Sequence, residues 1–451
     1  MSFPRYPAYK DSAVSWIGNV PVHWESWKLS HAFESIGSGT TPPSTEPQWY
    51  EGGNTPWVTT GELRENIVTE TAKGVTDAAL KQFTALRVHP AGSLVIAMYG
   101  ATIGRLGVLG VDAATNQACC VLSKPKALTI AFAYYWLQGF KQIIIDLFST
   151  GGGQPNISQD VVSSLRVPAP EIQEQKQITE FLDRETAKID ALVAEQEQLI
   201  TLLKEKRQAV ISHAVTKGLD SSVPMKDSGV EWLGEVPAHW DLSKVKHVCY
   251  VNDGNHGEEY PKEGDYTDEL DGVPFIRGGN IVGLSVSSED MLYITREKND
   301  SMRKGNIRAG DILFMNRGDI GKVALVPPEF EGANLNSQIA YLRCNTNLQQ
   351  RFLLHFLVSK QIQCLIESMK AGSVLTQFPI RDINEIAVPL PDLSEQNAIV
   401  KLLDDTTSRF DELTIEAERT IELLQERRSA LISAAVTGQI DIRGGNDGVK
   451  S

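Results

Sequence analysis

The phrase KDSAVSWIGNVPVHW, at residues 10–24, occurs a second time as KDSGVEWLGEVPAHW at residues 226–240. Ten of the fifteen positions are identical, and two tryptophans, a histidine and a proline keep their places. The copies begin at Lys10 and Lys226, so they are separated by nearly half the length of the chain. Solenoids and propellers repeat every roughly 20–50 residues, and this period is far longer. It therefore indicates the duplication of a module that is itself larger than one structural repeat.

The duplication extends through the whole chain. Three further pairs of phrases align, in the order AGSLVIAMYGATIGR (91–105) with AGDILFMNRGDIGK (309–322), VPAPEIQEQ (167–175) with VPLPDLSEQ (388–396), and EKRQAVISHAVT (205–216) with ERRSALISAAVT (426–437). The offset in numbering between copies grows from 216 to 221 and is then constant from residue 167 to residue 216. Each half therefore has a first part of variable length and a second part of fixed length.

The variable parts, residues 1–165 and 221–385, are predicted to be mixed α/β domains. Short apolar or β-branched runs such as SLVIAM, ACCVL and DILFM are bounded by Gly, Asn and Pro, which is typical of strands. Residues 130–148 and 349–369 have the apolar periodicity of helices.

The fixed parts, residues 166–220 and 386–440, are each predicted to contain one long helix, because 171–215 and 392–436 lack both Gly and Pro. Apolar residues recur every seven positions in both, which favours an antiparallel coiled coil with pseudo-two-fold symmetry. Two amphipathic helices that pack on their own domains are the alternative. Residues 441–451 are expected to form a flexible tail. The positions expected in the coiled-coil or subunit interface are Leu182, Ile189, Val193, Ile200, Leu203, Val210, Leu403, Phe410, Leu424 and Leu431.

Composition narrows the possible functions. The net charge of −14 argues against a simple polyanion binder, although local basic faces remain compatible with it. Five cysteines without a CxxC pair indicate neither a disulfide framework nor a zinc site. Neither a long apolar run nor an apolar leader is present, so we expect a cytoplasmic protein.

Catalytic and metal-binding motifs are missing from the sequence. There is no Asn-Pro-Pro-Tyr or Asp-Pro-Pro-Tyr motif of an adenine methyltransferase. GDIGK at residues 318–322 lacks the spacing of a phosphate-binding loop, and DYTDELDG at residues 265–272 lacks the order of a calcium-binding loop. We therefore expect a chain that is not an enzyme, has no metal site and binds no cofactor.

Loops rich in glycine and polar residues are the candidate recognition sites. Their side chains suit hydrogen bonding to base edges, and their glycines allow close approach to phosphates. In the first half the candidate DNA-binding residues are Ser38, Thr40, Thr41, Thr59, Thr60, Tyr99, Arg105, Gln117, Gly152, Gln154 and Asn156. In the second half they are Asn255, Arg277, Asn280, Asn316, Arg317, Lys322, Gln338, Thr376 and Gln377. The alternative for any one of them is an ordinary turn between strands. The two sets differ in chemistry, which predicts one architecture that recognises two different targets.

The repeated phrases, namely the opening phrase, PWVTTGEL, VPxPxxxEQ and KRxAxIxxAVT, resemble in content and order the specificity subunit of type I restriction–modification systems. The resemblance covers essentially the whole chain. It implies two target-recognition domains that bind the halves of a bipartite double-stranded DNA site, with two antiparallel helices that set the gap. It also implies two modification subunits that methylate adenine with S-adenosylmethionine. Up to two restriction subunits, which use ATP and Mg²⁺, would join them.

Two rival hypotheses compete with this one. A coiled-coil scaffold that binds proteins but not DNA would gain nothing from loops that differ between the halves. A fused restriction–methylation enzyme would need the motifs that are absent. Because the opening phrase recurs while the loops diverge, we expect Trp16, Trp24, Trp232 and Trp240 to be packing anchors near the helical junction, with a contact to a modification subunit as the alternative.

Overall fold

The computed structural model describes residues 3–151, 155–370 and 377–443. The chain forms two compact units. Unit 1 comprises residues 1–196 and 419–451, and unit 2 comprises residues 197–418. The boundaries fall inside the two longest helices, so each unit contains a part of both.

Unit 1 is a mixed α/β body. Its strands are β1 (Tyr9–Asp11), β2 (Asn19–Pro21), β3 (Glu25–Lys28), β4 (Phe33–Ser38), β5 (Thr55–Val58), β6 (Asn66–Val68), β7 (Gly74–Val75), β8 (Leu94–Ala97), β9 (Leu106–Leu109), β10 (Ala114–Thr115), β11 (Cys119–Pro125) and β12 (Arg166–Ala169). Its shorter helices are α1 (Leu29–Ala32), α2 (Asp77–Gln82), α3 (Ile130–Gly139), α4 (Lys141–Phe148) and α5 (Gln159–Ser164). The main sheet has the order β4-β11-β8-β9-β6, and a second sheet has the order β10-β5-β7. Two strand pairs, β1 with β2 and β3 with β12, complete the unit.

Unit 2 repeats this architecture. Its strands are β13 (Met225–Asp227), β14 (Glu235–Pro237), β15 (Asp241–Lys244), β16 (Cys249–Asp253), β17 (Tyr266–Thr267), β18 (Val273–Ile276), β19 (Ile281–Val282), β20 (Ser285–Val286), β21 (Leu292–Ile294), β22 (Ile312–Met315), β23 (Val323–Leu325), β24 (Asn334–Leu335), β25 (Ile339–Cys344) and β26 (Ala387–Leu390). Its shorter helices are α7 (Val245–Val248), α8 (Arg296–Ser301), α9 (Gln350–Leu357), α10 (Lys360–Lys370) and α11 (Ile380–Glu385).

The strand orders of the two units correspond. The sheet β16-β25-β22-β23 repeats β4-β11-β8-β9 with the same antiparallel pairings. The parallel pair of β18 with β24 repeats that of β5 with β10. One difference is that β6 joins the main sheet of unit 1, whereas β19 pairs with β20. The predicted duplication of a mixed α/β domain is thus confirmed.

The two longest helices are α6 (Ile172–Lys217) and α12 (Leu393–Val436), as the segments without Gly and Pro predicted. Inside unit 1, Arg428 Nε lies 2.8 Å from Asp190 Oδ1. Inside unit 2, Arg207 Nε lies 3.4 Å from Asp411 Oδ1. At the constant offset of the fixed parts, Asp411 is the copy of Asp190 and Arg428 is the copy of Arg207, so the two ion pairs are copies of each other. In unit 1 an early residue of α6 meets a late residue of α12, and in unit 2 a late residue of α6 meets an early residue of α12.

The predicted interface positions are buried to different extents. Leu182, Ile189, Leu203 and Leu403 are buried, whereas the other six are half-buried. Four leucines in duplicated positions of the same helices are instead exposed, namely Leu192 at 45%, Leu202 at 52%, Leu413 at 47% and Leu423 at 57%. Leu413 is the copy of Leu192 and Leu423 is the copy of Leu202, at the same constant offset. Each long helix therefore keeps two of these leucines turned to solvent.

The two shorter predicted helices are each divided in the structure. Residues 130–148 form α3 and α4, with a break at Phe140, and residues 349–369 form α9 and α10, with a break at Val358 and Ser359. The first break follows Gly139, where a Cβ atom would lie 3.1 Å from Ile432 Cγ2 of α12. Close packing on the long helix, which apolar periodicity does not reveal, accounts for this difference.

The opening phrase meets the first turn of α6. Glu174 is buried there and accepts hydrogen bonds from Tyr6 Oη at 2.7 Å and Trp24 Nε1 at 3.1 Å, and it lies 2.9 Å from His23 Nε2. Burial, together with the bond to Glu174, raises the pKa of Tyr6 well above its usual value. The predicted anchor Trp24 is fully buried beside Phe132 of α3. The phrase is therefore a structural junction.

Unit 2 contains the same junction. Glu395, in the first turn of α12, accepts a hydrogen bond from Trp240 Nε1 at 3.0 Å and lies 2.9 Å from His239 Nε2. Trp240 is fully buried, and Trp232 is half-buried with its ring centroid 6.4 Å from that of Phe356. The half-buried Trp16 likewise packs on α3 in unit 1. All four predicted packing anchors are thus confirmed.

The glutamine after each glutamate ties the long helix to the start of an earlier helix. Gln175 Oε1 accepts the backbone N–H of Thr129, the N-cap of α3, at 2.8 Å. Gln396 Oε1 accepts the backbone N–H of Gln349, the N-cap of α9, also at 2.8 Å. The repeated Glu-Gln pair is therefore explained by structural hydrogen bonds in each unit.

The chain end that follows α12 packs on the opening phrase of unit 1. The Tyr9 hydroxyl donates to Gly438 O at 2.9 Å, and the Asp441 N–H donates to Pro4 O at 2.8 Å. Gly438 has φ +67°, and a Cβ atom there would lie 2.4 Å from Pro21. Of the expected flexible tail, residues 441–443 take part in this packing and residues 444–451 lie outside the described residues.

Candidate nucleic-acid interface

In unit 1 the loop after β4 lies against the loop before β11. The backbone N–H groups of Gly39 and Thr40 donate to Asn116 O at 3.2 Å and Thr115 O at 3.1 Å, and Thr41 Oγ1 donates to Gln117 Oε1 at 2.5 Å. A Cβ atom at position 39 would lie 1.7 Å from Thr115 O, so only glycine allows this approach. Four of the predicted residues, Ser38, Thr40, Thr41 and Gln117, are therefore brought together.

The loop after β8 joins the same cluster. Met98 N–H donates to Ala118 O at 2.7 Å and Ile157 N–H donates to Met98 O at 2.9 Å, while Tyr99 and Asn156 face each other in an isolated β-bridge. Both Tyr99 and Asn156 are exposed. The predicted residues Gly152 and Gln154 lie outside the described residues. Tyr99 and Asn156 thus place an aromatic ring and an amide side by side on the surface of unit 1.

Thr59, Thr60 and Arg105 are half-buried. The turn after β5 is attached to the cluster by the bond from Asn116 N–H to Val58 O, 3.0 Å long. The Thr59 hydroxyl already donates to Glu62 Oε2 at 2.5 Å. Arg105 immediately precedes β9, the strand that pairs with β8, and its backbone oxygen accepts the Ala97 N–H at 2.8 Å. These three residues therefore adjoin the cluster, and their side chains are partly open to solvent.

The corresponding loops of unit 2 assemble in the same way. Gly254 N–H donates to Ile339 O at 3.1 Å, and Asn336 N–H donates to Ile276 O at 3.1 Å. Asn316 N–H donates to Gln338 O at 3.0 Å and its carbonyl accepts from Phe378 N–H at 2.7 Å. The loops after β16, β18 and β22 therefore meet the loop before β25.

Two arginines distinguish this second cluster. Arg317 Nη2 donates to Gln377 Oε1 at 3.0 Å, and Arg277 Nη2 donates to Asp290 O at 2.8 Å. Both side chains are half-buried, as are Lys322 and Gln377, while Gln338 is exposed. The Nε atoms of both arginines are buried and have no hydrogen-bond partner among the described residues. The donors of each guanidinium that suit an acceptor such as a guanine edge are therefore on its terminal nitrogens.

Three predicted contact residues are buried and do not belong to this surface. Asn280, 2% exposed, accepts from Arg277 N–H and donates to Glu289 O. Asn255, 1% exposed, exchanges bonds with the backbone of Lys304 and donates to Asn334. Asn316 is fully buried. The side chains of Asn255 and Asn280 close turns, whereas both polar side-chain atoms of Asn316 are buried without a partner among the described residues. The polar pattern did not distinguish these buried positions from exposed ones. The remaining predicted residue, Thr376, lies outside the described residues.

Two residues that were not predicted shape the loops. Asn116 Oδ1 accepts from Ala118 N–H, and Asn336 Oδ1 accepts from Gln338 N–H, both at 3.1 Å. The loop before β11 and its copy before β25 are therefore shaped by the same hydrogen bond, from a backbone N–H to the asparagine side chain two residues earlier. The sequence contains this signal, because NQACCVL (116–122) and NSQIAYL (336–342), which precede and form the two corresponding strands, both begin with this asparagine.

Across residues 3–151, 155–370 and 377–443, no group of three or more His, Cys, Asp or Glu side chains is arranged to hold a metal ion. No helix in the described part of the chain has the length and apolar character needed to cross a membrane.

The two units share one mixed α/β architecture and differ in the polar side chains of their loops. The family model of the type I restriction modification DNA specificity domain matches the chain twice, at residues 21–202 and 237–425. The chain belongs to this family, so it is a DNA-recognition subunit of a type I restriction–modification system and not a catalytic one.

Known proteins resemble the chain over nearly its full length. The type I restriction enzyme MjaVIII specificity subunit of Methanocaldococcus jannaschii is 22% identical over 432 residues, which is 94% of each chain. The HsdS subunit from Thermoanaerobacter tengcongensis has a TM-score of 0.54 and 16% identity over 93% of this chain and 98% of its own. A chain solved in work on complex assembly and conformational transition of the type I R-M system has a TM-score of 0.69 and 17% identity. It covers 93% of this chain and 99% of its own.

Proposed function

We propose that each unit binds one half of a bipartite double-stranded DNA target through the loop cluster described above. The observation that carries this proposal is that the two clusters share backbone positions but differ in side chains. Arg277 stands where unit 1 has Thr59, and Arg317 stands where it has Tyr99. Arginine pairs with guanine edges and aromatic rings contact thymine methyl groups or stack, so the two half-sites differ in sequence.

The side chains proposed to contact DNA are the exposed and half-buried members of the two clusters. In unit 1 they are Ser38, Thr40, Thr41, Thr59, Thr60, Tyr99, Arg105, Gln117 and Asn156. In unit 2 they are Arg277, Arg317, Lys322, Gln338 and Gln377. The acidic net charge of −14 is consistent with a complex in which partner subunits supply much of the phosphate-binding surface.

The long helices are proposed to set the gap between half-sites and to bind two modification subunits. The exposed leucines support this role: Leu192 and Leu413 are duplicated positions, as are Leu202 and Leu423. All four leucines are exposed, so each unit leaves two large apolar side chains open to a partner. Their duplication provides equivalent apolar positions twice, which suits two copies of one partner.

The cofactors of the system are proposed to be bound by its partners. The modification subunits would use S-adenosylmethionine to methylate adenine, and restriction subunits, where they join, would use ATP and Mg²⁺. This chain contributes DNA recognition and the binding of its partner subunits, and we infer that it acts in the cytoplasm, where chromosomal DNA is present.

Substitution in one cluster should alter one half-site. We expect Arg317→Ala, with its modification subunit, to weaken discrimination at one base pair of a single half-site by about 10- to 100-fold, because a bidentate contact contributes about 1–3 kcal/mol. Tyr99→Ala should change the other half-site. Sequencing of methylated adenines in cells that express each variant measures both effects.

The two variants are controls for each other, and Arg351→Ala is a control for loss of positive charge. Arg351 is on α9 and faces Asp404 of α12 at 2.8 Å, away from the loop cluster. The coiled-coil scaffold alternative predicts that neither Arg317→Ala nor Tyr99→Ala alters any methylated motif. The same half-site changing in both variants would contradict the assignment of one unit to each half.

A further inference from the structure

Unit 2 contains two cysteines directly opposite each other on neighbouring strands. Cys249 begins β16, Cys344 ends β25, and the two are partners in the antiparallel ladder. Their Sγ atoms are 3.7 Å apart. Both are free thiols in the structure.

The position of this pair in the ladder favours a disulfide. Asn345 N–H donates to Val248 O at 2.9 Å beside the pair, and Gly254 N–H donates to Ile339 O at 3.1 Å at the far end of the ladder. Hydrogen-bonded and non-hydrogen-bonded pairs alternate along an antiparallel ladder, and these two bonds make Cys249 and Cys344 a non-hydrogen-bonded pair. The Cα atoms of such a pair lie about 4.5 Å apart. Disulfides span Cα separations of about 4.4–6.8 Å, so closing the bond requires little backbone movement.

The two sulfurs differ in access to solvent. Cys249 is 7% exposed, whereas Cys344 is half-buried and is the thiol that an oxidant reaches. The hydrogen bond between Cys249 and Cys344 raises the pKa of Cys249, and the burial of Cys249 raises it further. Cys119 and Cys120 of unit 1 are adjacent in sequence, both are buried, and burial raises the pKa of each to about 12. Consecutive residues of a strand point to opposite faces of the sheet. They therefore form no comparable pair.

We propose that Cys249 and Cys344 are a site of reversible oxidation, closed as a disulfide by a peroxide. The Cys344 sulfur attacks one oxygen of hydrogen peroxide, the O–O bond breaks, and a sulfenic acid and one water are formed. The Cys249 sulfur then attacks Cys344, the S–S bond forms, and the S–O bond breaks. The departing hydroxide takes the proton of the Cys249 thiol and leaves as a second water. Two thiols and one peroxide thus give one disulfide and two waters.

This site belongs to the second unit alone. At the equivalent place in the ladder of unit 1, Phe33 faces Pro125. The oxidised pair would tether the strands β16 and β25, which continue into the loops that carry Gly254 and Gln338. Oxidation should therefore stabilise unit 2 against unfolding. The chemistry does not depend on the proposed DNA contacts.

A thiol count and a peptide map test the proposal. The full chain with Cys364→Ser, which removes the exposed thiol and with it intermolecular disulfides, has four cysteines left. After treatment with a small excess of hydrogen peroxide and denaturation, we expect two titratable thiols and one linked peptide pair containing Cys249 and Cys344. Dithiothreitol should restore all four thiols, and the oxidised chain should show a higher Tm that the reductant reverses.

The variant Cys249→Ser is the matched control, because its Cys344 should be oxidised to sulfinic acid without forming a linked peptide. Mapping of the unsubstituted chain gives the same linked peptide and requires no variant to fold. Recovery of Cys249 and Cys344 as separate peptides, under conditions that oxidise Cys364 of the unsubstituted chain, would overturn the proposal.

Discussion

Glu174 is the residue on which the opening phrase of unit 1 converges. Its buried carboxylate meets the side chains of Tyr6, His23 and Trp24, and Glu395 meets those of His239 and Trp240 in unit 2. The side chain of Glu174 is 8% exposed and that of Glu395 is 25% exposed. The junction of unit 1 is therefore the more buried of the two.

We expect Glu174→Ala to lower the free energy of unfolding by about 2–4 kcal/mol, because it leaves the buried Tyr6 hydroxyl and Trp24 indole N–H without an acceptor. Glu395→Ala should cost less, since solvent reaches that site. Urea unfolding monitored by tryptophan fluorescence measures both, and Glu180→Ala on the exposed face of α6 is the control, with a change within about 0.5 kcal/mol. Equal effects of all three variants would show that the carboxylate is not a junction.

At this scale the sequence indicated packing residues better than contact residues. The four tryptophans were predictable because they recur unchanged while the loops around them differ. Asn255, Asn280 and Asn316 were not, because a polar residue on a glycine-rich loop is either exposed to solvent or buried beneath the loop. Which of the two occurs depends on backbone partners such as Glu289 and Lys304, which local sequence does not identify.

Among the structural elements, the long helices were the most predictable. Both stretches lack Gly and Pro and have apolar residues at regular spacing. A long helix is the structure that such stretches favour, and they form helices of 46 and 44 residues. The divided helices α3/α4 and α9/α10 were not predictable, since their breaks depend on tertiary packing. The pairing of β6 with β9 in unit 1, and of β19 with β20 in unit 2, also differs for reasons that local patterns do not contain.

The spacing role of α6 and α12 predicts the outcome of an insertion. Seven residues placed after Gln196 and seven after the equivalent Ala417 preserve the heptad pattern and lengthen each helix by about 10 Å. We expect the gap in the methylated motif to grow by on the order of a few base pairs, with unchanged half-sites. Four residues inserted after Gln196 alone should lengthen the gap or abolish activity, also without changing the half-sites.

Mapping of methylated adenines measures the gap for each insertion variant. Altered half-sites with an unchanged gap would contradict the spacing role. Loss of activity in the single insertion, with retention in the paired one, would agree with the matched ion pairs Asp190–Arg428 and Arg207–Asp411.

At the scale of the whole molecule, the chain is expected to need a partner for activity. Alone it should transfer no methyl group to DNA, and methylation should appear when the modification subunit is added. Leu192→Glu with Leu413→Glu should reduce binding of that subunit at least tenfold, because both charges would enter the covered surface. Co-purification and a radioactive methyl-transfer assay measure this.

The exposed Lys188→Glu variant, on the same helix, is the control for added negative charge. Methyl transfer by the purified chain alone would contradict its non-catalytic role. Unchanged binding of the modification subunit by the leucine variant would show that the partner surface does not include these leucines. That result would not contradict the proposed DNA recognition.

Each duplicated unit is expected to specify its own half of the target. A chimera in which residues 29–165 replace residues 245–386 carries the first set of recognition loops twice and retains both junctions and both long helices. Single-molecule sequencing of methylated adenines, in cells that express the chimera with its modification subunit, tests the claim directly. We predict a motif in which the half-site of unit 1 occurs in both halves and that of unit 2 is lost. Persistence of the original two different half-sites in the methylated motif would contradict the account.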